Sequence, residues 1–470
     1  MCARTRRGAG PRVAIIGTVT TFYVENFGCR ATQADGAAIE RGLAQRGLSR
    51  TRDLQDASVV VLNTCTVTSA ADHDARAAIR RIHRKNPDCR ILVTGCYAQR
   101  APEEIAAIPG VTWVVGNSHK HDIAGLVAPE QMEAADPALG HDFVPVESLR
   151  PQAGTMQLVG DIFAHTSLMA APVFGEAAGD LTRPNLKVQD GCDNRCSFCI
   201  IPFVRGQSRS LPLDQVLREI DALVEADYRE VVISGINLGR WGLDLDPPQR
   251  FAKLLRAILD KTDLERLRIS SVEPMDWSDE VIELVARSPR IAKHAHVPLQ
   301  TGSDRVLRRM HRKYRPWHYA AKIRKIRAAM PAAAIGADVM VGFPGETESD
   351  FEESRQFIAS LPFTYLHVFT YSSRPGTPSA EMAGQVDPLV RRERNRILRE
   401  LAAEKKRAFL DGFVGGKLST ITLSAQQDDC TESLTDNYLK LMLRGRHAPN
   451  RMLSARVERR DGDVLIGNVV

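Results

Sequence analysis

Short β-branched runs alternate with amphipathic helical patterns over residues 20–126 of this 470-residue chain. Four runs have the length of strands: "FYVENFG", "SVVVLNT", "RILVTG" and "TWVVG". Segments such as "QADGAAIERGLAQRG", with apolar residues three and four positions apart, follow them. This β/α succession predicts a parallel sheet flanked by helices, and therefore an N-terminal open α/β domain.

The alternation returns over residues 184–405 with six strand candidates: "NLKVQ", "EVVISG", "RLRISS", "HAHVPL", "AIGADVMVG" and "YLHVFTYS". Helical patterns such as "LDQVLREIDALVEAD" separate them. Six β/α units predict a partial (β/α)6 barrel, short of the eightfold closure. In such folds the chemistry lies at the carboxyl ends of the strands.

Two further segments differ in character. Residues 127–183 are rich in Pro, Ala, Gly and acidic residues without periodicity, and we interpret them as a linker or insertion. Residues 406–470 alternate short strand patterns with turns such as "RRDGD", which predicts a small β-barrel. The overall fold class is therefore α/β with a C-terminal barrel.

Composition and charge narrow the class of protein. At 43% hydrophobic and 26% charged residues the chain is an ordinary globular protein. No apolar run reaches the length of a membrane span, and the N-terminus does not fit a secretion signal, so we expect a cytoplasmic protein without a membrane partner. Residues 305–328 contain ten Lys or Arg and no Asp or Glu, and residues 391–410 contain eight against three. These runs favour an anionic macromolecule as partner over simple solvated helix faces.

Six of the nine cysteines lie in patterned places. Cys29, Cys65 and Cys96 each follow a different predicted strand, and the carboxyl ends of parallel strands share one edge of a sheet. We expect these three thiols to converge; three unrelated buried cysteines are the alternative. The other three, Cys2, Cys89 and Cys430, have no such placement.

The second group lies in "GCDNRCSFCIIPFVRGQSRS", directly after the first strand of the central domain. Cys192, Cys196 and Cys199 can converge within this one loop. Three thiolates on a four-iron cluster leave one iron open to bind something else. A zinc site completed by His311 or His318 is the alternative.

The same loop, with its CxxxCxxC spacing, resembles the cluster loop of radical S-adenosylmethionine enzymes. Further stretches resemble their methylthiotransferase branch: "FGCRATQAD", "NTCTVTSAAD", "VTGCYAQR", "HVPLQTGSDRVLRRMHRKY" and "DVMVGFPGETESDFEES". The C-terminal segment with "LTDNYLKL" resembles that family's RNA-binding TRAM barrel. Within the branch, "ENFGCRATQAD" and "TDNYLKL" are most similar to the bacterial enzymes that act on threonylcarbamoyladenosine in tRNA.

The resemblance implies two [4Fe-4S] clusters, an auxiliary one on Cys29, Cys65 and Cys96 and one on Cys192, Cys196 and Cys199 that binds S-adenosylmethionine. The implied reaction is methylthiolation of C2 of N6-threonylcarbamoyladenosine beside the anticodon (position 37 of tRNA). The cofactor carries the attack on this inert C–H bond. The partners are the tRNA anticodon loop and donors of sulfur and electrons whose identity is open. Alternatives are the sister enzymes for isopentenyladenosine tRNA or a ribosomal-protein aspartate, and a non-enzymatic iron–sulfur RNA-binding protein.

Individual site residues are predicted from the resemblance and from their places beside the cysteine loop and at strand ends. Phe198 resembles the family's aromatic residue near the cofactor adenine, and the other expected cofactor contacts are Ser234, Gly235, Glu273, Gln300 and Gly342. Arg205 and Arg209 are predicted to pair with a carboxylate or phosphate. The residues expected to contact RNA phosphates are Arg308, Arg309, Arg312, Lys313, Arg391, Arg392 and Lys440.

Overall fold

The computed structural model describes residues 20–128, 154–164, 168 and 182–470. These residues form an N-terminal parallel sheet with helices, a central partial β/α barrel and a closed C-terminal β-barrel. The predicted fold class is confirmed. No helix in this part of the chain is long and apolar enough to cross a membrane.

The N-terminal sheet has the strand order β2-β1-β3-β4-β5-β6, and all its pairs are parallel. Its strands are β1 Thr21–Asn26, β2 Ser49–Arg50, β3 Val59–Thr64, β4 Arg90–Gly95, β5 Val111–Val115 and β6 Met156–Leu158. Its helices are α1 Arg30–Gln45, α2 Ser69–Lys85, α3 Cys96–Arg100, α4 Pro102–Ala106 and α5 Ile123–Val127.

Strand β3 lies in the middle of this sheet, and every one of its residues is buried. Val60 and Leu62 face a core shared with α2, whereas Val59 and Val61 face a second core shared with α1. A parallel sheet covered on both faces explains why its strands read as continuous apolar runs. The four predicted strands are β1, β3, β4 and β5.

The two edge strands of the sheet were not predicted. Strand β2 has two residues and β6 three, too few for a periodic pattern. Strand β6 lies inside residues 127–183, where the sequence predicted only a linker. Most of that predicted linker lies outside the described residues.

The central barrel has six parallel strands: β7 Asn185–Asp190, β9 Glu230–Gly235, β10 Arg266–Ile269, β11 His294–His296, β12 Ala334–Val341 and β13 Tyr365–Thr370. A short strand β8, Arg209–Ser210, adds antiparallel to the outer edge of β7. Two isolated parallel bridges, Leu267 with Ile291 and Ser271 with His296, connect β10 to β11. The strands therefore form one curved sheet, which does not close between β13 and β8. The helices are α6 Ile201–Arg205, α7 Leu213–Glu225, α8 Phe251–Lys261, α9 Asp279–Arg287, α10 Asp304–Arg309, α11 Pro316–Ala329, α12 Glu348–Ser360 and α13 Pro388–Asp411.

The N-terminal domain covers the open side of this barrel. On one side, the Asn185 side chain of β7 donates to the Arg30 carbonyl of α1 at 2.9 Å. On the other side, beyond the end of β13, the Ser69 backbone N–H donates to the Ser372 hydroxyl at 3.1 Å. The two contacts span the gap, so the interior of the barrel faces the N-terminal domain.

The C-terminal barrel contains β14 Lys417–Gln427, β15 Cys430–Thr435, β16 Lys440–Arg444, β17 Met452–Asp461 and β18 Val464–Val469, in the closed order β14-β15-β16-β18-β17. It lies against the amino ends of the central strands, where Arg268 of β10 donates to the Thr435 carbonyl at 3.0 Å. The predicted boundary at residue 405/406 lies inside α13, which continues to Asp411.

Candidate active site

The first cysteine group lies where three strands of the N-terminal sheet end. Cys29 precedes α1, Cys65 follows β3, and Cys96 is the first residue of α3 directly after β4. At Gly28, which has a φ of +105°, an added Cβ would lie 2.6 Å from the Cβ of Cys65. Glycine therefore permits the close approach of two of these loops. Burial, then the neighbouring Cys96 and Cys29 thiols, raises the pKa of Cys65 to about 12.

The second group occupies the loop after β7. The backbone N–H of Cys192 donates to the Gly206 carbonyl at 3.0 Å, and that of Cys199 donates to the Cys196 carbonyl at 3.1 Å. Burial, with the neighbouring Cys196 and Cys192 thiols, raises the pKa of Cys199 to about 12. In the first group Cys65 and Cys96 are buried and Cys29 is exposed, whereas all three thiols of the second group are half-buried. Such thiols lose their protons on binding metal.

A nitrogen donor lies beside one sulfur of each loop. Asn117 Nδ2 is 3.6 Å from the Cys96 sulfur, and Asn237 Nδ2 is 3.7 Å from the Cys192 sulfur. Arg312 approaches the Cys196 sulfur at 3.3 Å. Hydrogen bonds to the sulfurs are among the features that tune an iron–sulfur cluster.

These sulfur contacts were not predicted. Asn117 follows β5 just as Cys65 and Cys96 follow β3 and β4. This shared position at the ends of neighbouring strands could have predicted that Asn117 lies beside the thiols. Arg312, predicted to contact RNA, is instead buried beside Cys196 and pairs with Glu273. Its assignment to a phosphate-binding surface is therefore corrected.

The two cysteine loops are neighbours. Cys96 packs against Ile200 and Val204, which directly follow the second cysteine group. Asn117 strengthens this contact by donating to the Val204 carbonyl at 2.7 Å. The N-terminal sheet edge and the mouth of the barrel thus form one site with two groups of three thiols.

Beneath this contact lies a network of five buried charges: Asp35, Lys120, Lys187, Asp190 and Arg205. Arg205 donates to Asp190 at 2.9 Å and to Asp35 at 3.0 Å, and Lys120 donates to Asp35 at 2.9 Å. Although burial opposes ionisation, the charges of Lys120, Lys187 and Arg205 hold the pKa of Asp35 well below its usual value. Arg205 therefore pairs with carboxylates, as predicted, and these belong to Asp35 and Asp190 of the protein itself. Arg209 donates to the Gln207 carbonyl at 3.3 Å.

The predicted cofactor contacts surround the second cysteine loop. Phe198 packs among Met340, Phe343 and Tyr371. Glu273 lines a pocket that also contains Cys196, Arg312 and Tyr314.

The other four predicted contacts lie at the end of a strand or just after one. The Ser234 hydroxyl is buried without a hydrogen-bond partner in the described structure, and Gly235 ends β9. Gln300 has a φ of +70°, and its backbone N–H donates to the Asp338 carbonyl at 2.8 Å. The Gly342 backbone N–H donates to the Glu346 carboxylate, which anchors the "GFPGE" loop.

The other predicted RNA contacts are exposed or half-buried, and four of them form ion pairs or hydrogen bonds within the protein. Arg308 pairs with Asp304 at 2.9 Å and Lys440 with Glu432 at 2.7 Å. Arg309 donates to the Pro344 carbonyl at 3.2 Å, and Arg391 to the Tyr371 carbonyl at 2.8 Å. Lys313 and Arg392 are exposed.

The zinc alternative requires Cys192, Cys196 and Cys199 to meet His311 or His318 around one ion. Zinc holds its ligands at roughly 2.0–2.3 Å, so they must converge on one point. Across residues 20–128, 154–164, 168 and 182–470, no three His, Cys, Asp or Glu side chains do so.

Comparison with known proteins identifies two regions. Residues 186–358 match the radical SAM superfamily, and residues 21–116 match a family described as uncharacterized protein family UPF0004. The chain is 38% identical over 436 residues to the threonylcarbamoyladenosine tRNA methylthiotransferase MtaB of Bacillus subtilis, covering 91% of each chain. It is 32% identical to the enzyme of the same name from Aquifex aeolicus, covering 90% of this chain and 96% of that one.

The chain belongs to the radical SAM methylthiotransferase family. The family includes a second type of relative, the tRNA-2-methylthio-N(6)-dimethylallyladenosine synthase of Parafrankia sp., which is 34% identical and covers 95% of this chain and 86% of that one. Among solved structures, the radical S-adenosylmethionine methyltransferase TsrM from Kitasatospora setae shares the fold. Its TM-score is 0.53 at 17% identity, over 77% of this chain and 75% of that one.

The cofactors of a radical SAM methylthiotransferase are [4Fe-4S] clusters and S-adenosylmethionine. The residues present fit both. Each group offers three thiols. Two buried oxygens, Ser234 Oγ near the end of β9 and Asn237 Oδ1 beside Cys192, have no hydrogen-bond partner within the described residues. Orphaned polar atoms in such a place are typical of a site that binds a polar ligand.

Proposed function

We propose that this enzyme methylthiolates C2 of N6-threonylcarbamoyladenosine next to the anticodon of tRNA. The observation that carries the proposal is the packing of Cys96 against Ile200 and Val204. It brings together two separate three-thiol groups, and the reaction has two tasks: activating C2 and delivering a methylated sulfur. The substrate is supported by the relatives named threonylcarbamoyladenosine tRNA methylthiotransferase.

In this assignment Cys192, Cys196 and Cys199 hold the cluster that binds S-adenosylmethionine, and Cys29, Cys65 and Cys96 hold the auxiliary cluster. When bound, S-adenosylmethionine and the clusters supply a 5′-deoxyadenosyl radical and a methyl group, chemistry that no side-chain acid or base provides. The protein must bind these groups, orient the base and keep water and other quenchers out.

Three features of the chain serve binding and orientation. Phe198, with Met340 and Phe343, gives an apolar surface for the cofactor adenine. The unpaired oxygens of Ser234 and Asn237 accept hydrogen bonds from the cofactor's polar end. Asn237, Asn117 and Arg312 orient or stabilise the cluster sulfurs through their N–H groups.

Exclusion of water follows from the domain arrangement. The N-terminal domain covers the open side of the barrel at Asn185 and Ser372, and the C-terminal barrel covers the amino ends of the strands at Arg268. The target base must therefore leave its stack to enter. An anticodon loop is single-stranded, so a base can be splayed out without breaking a pair.

RNA binding is assigned to the basic residues nearer the surface, among them Lys313, Arg392 and Arg308, and to the C-terminal barrel, which we interpret as a TRAM-like domain that includes Lys440. Contacts with phosphates make the affinity fall as salt rises. The donors of sulfur and electrons act at the clusters.

The test is nucleoside mass spectrometry of bulk tRNA from cells that lack the gene, complemented with the wild type, Cys196→Ala or Cys89→Ala. We expect methylthio-threonylcarbamoyladenosine to be absent without the gene and with Cys196→Ala, while its unmethylthiolated parent accumulates. Cys89→Ala should restore it, because Cys89 lies before β4, at the other edge of the sheet. Loss of the isopentenyl counterpart instead would assign the chain to the sister enzymes.

A further inference from the structure

One inner face of the barrel is lined with rings. In the register of β12 with β13, Gly336 pairs with Tyr365, Asp338 with His367, and Met340 with Phe369. Side chains of paired residues in parallel strands lie on the same face of the sheet. Met340 packs against the same small apolar cluster, around Phe343 and Tyr371, as Phe198 of the cysteine loop, so this face looks into the barrel on the side of that loop.

The rings form a continuous row, which we call the aromatic wall: His296, Tyr365, His367 and Phe369. His296 stacks on Tyr365 with centroids 5.9 Å apart and planes within 4°. His367 meets His296 edge-on at 5.5 Å and stacks on Phe369 at 6.4 Å. Gly336 makes room, because an added Cβ would lie 2.0 Å from the Tyr365 ring.

The end of the wall towards the carboxyl ends of the strands is exposed. Phe369 is 48% exposed and His367 is also exposed, although both lie on an inner face of the barrel. The opposite face of β13 packs Leu366 and Val368 against the main core. The Phe369 ring is therefore free to stack with a flat ligand.

A cation lies near the other end of the wall. Arg30 begins α1 next to Cys29 and is half-buried. Its carbonyl accepts from the Asn185 side chain at the start of β7, 2.9 Å away, so Arg30 lies at the amino ends of the barrel strands, where Tyr365 begins β13. The Tyr365 hydroxyl lies 2.7 Å from His294 Nε2, and Arg30 is among the charges that, after burial, lower the pKa of His294. From Tyr365 to Phe369 the strand advances roughly 13 Å, a span that a purine with an extended N6 substituent can cover.

We propose that the aromatic wall binds the target adenine, with its ring on Phe369 and His367 and its N6 substituent directed towards Arg30. This inference rests on the proposed function and adds the residues that recognise its substrate. Aromatic rings bind splayed bases by stacking on their π-faces. The guanidinium of Arg30 suits the carboxylate of a threonylcarbamoyl group, which an isopentenyl group lacks.

The test measures RNA binding by the cluster-reconstituted protein, using fluorescence anisotropy and two synthetic anticodon stem-loops. The two RNAs differ only in the threonylcarbamoyl group on the target adenine. Phe369→Ala should weaken binding of both RNAs about tenfold, and Phe369→Tyr should restore it. Arg30→Met should remove the preference for the modified RNA. Trp317→Ala removes a ring that is 58% exposed on α11 and should change neither affinity.

Iron content and RNA-independent cleavage of S-adenosylmethionine are measured on the same variants, and both should match the wild type. Wild-type affinity in Phe369→Ala would overturn the proposal, and so would loss of iron or of cofactor cleavage, because the ring would then serve the cofactor or the fold. If the wild type itself shows no preference between the RNAs, the substrate of the proposed function fails. The Phe369 result on the unmodified RNA still decides whether the wall stacks a base.

Discussion

Arg205 of the central domain donates to Asp35 of α1 at 3.0 Å, across the contact between the two cysteine loops. The network around this bond contains three cationic side chains and two carboxylates, so it leaves one positive charge buried beneath Cys96 and Cys29. The two thiol groups are thus held together by buried charges as well as by apolar packing.

Removing Arg205 should therefore destabilise the protein strongly. Arg205→Met removes a partner that Asp35 and Asp190 share and leaves them Lys120 and Lys187. Breaking a buried pair costs up to about 3–5 kcal/mol. Arg218→Met is the matched control, since its pair with Asp214 is 68% exposed on both sides and should contribute little to stability. Urea unfolding followed by circular dichroism measures both. Equal effects would show that the network does not join the domains.

The two cysteine groups should lose iron independently. Cys65→Ala and Cys196→Ala should each remove about half of the iron and sulfide of the reconstituted protein, because each variant breaks one group of three ligands. Only Cys196→Ala should abolish cleavage of S-adenosylmethionine. Cys430→Ala, in β15 of the C-terminal barrel, is the control and should keep full iron content. Loss of all iron from either variant would mean that the groups share one centre.

The cysteine loop depends on Gly191. At this residue φ is +69°, and an added Cβ would lie 1.8 Å from the Gln207 carbonyl oxygen. Gly191→Ala must shift the backbone next to Cys192, and iron binding by the second group should fall severely. Gly415, with a φ of +83° and no atom within 4 Å of an added Cβ, is the control. Gly415→Ala should cost only about 1–2 kcal/mol of stability, measured by urea unfolding, and retain iron.

Glu40 should make stability depend on pH. Its burial raises the pKa to about 7, against the opposing charge of Arg50, from an ordinary value of 4.5. A raised carboxyl pKa contributes stability below the unfolded value, and this contribution is lost as pH rises through the folded value. Between pH 4.5 and 7 the loss approaches about 3 kcal/mol.

The test compares thermal unfolding midpoints of the wild type and Glu40→Gln at pH 5 and pH 8. The neutral variant should remove this part of the pH dependence and melt higher than the wild type at pH 8. A variant that melts lower than the wild type at pH 8 would mean that the ionised carboxylate is stabilising.

The sequence predicted the central strands and the convergence of Cys29, Cys65 and Cys96, because long apolar runs and strand ends are local signals. It could not predict the direction of Arg312, which depends on the chain path. His311 has a φ of +57° after α10, and there the chain turns Arg312 inward to Cys196. A run of basic residues in the sequence shows only that charge is concentrated there, whereas the burial of one of its side chains depends on bends of this kind. The aromatic wall was also missed, because its rings come from separate strands and meet only through their register.

Helix α13 has consequences for how the gene can be dissected. Near its start Arg391 packs against Gly342 and Arg394 donates to the Glu346 carbonyl at 3.2 Å, whereas Leu410 at its other end belongs to the core of the C-terminal barrel. A stop codon at residue 405 would remove the whole C-terminal barrel and the last turns of α13, and one before residue 388 would also uncover the outer side of β13. The shorter truncated protein is therefore damaged in two domains at once. Point substitutions on the barrel surface are the way to separate RNA capture from catalysis.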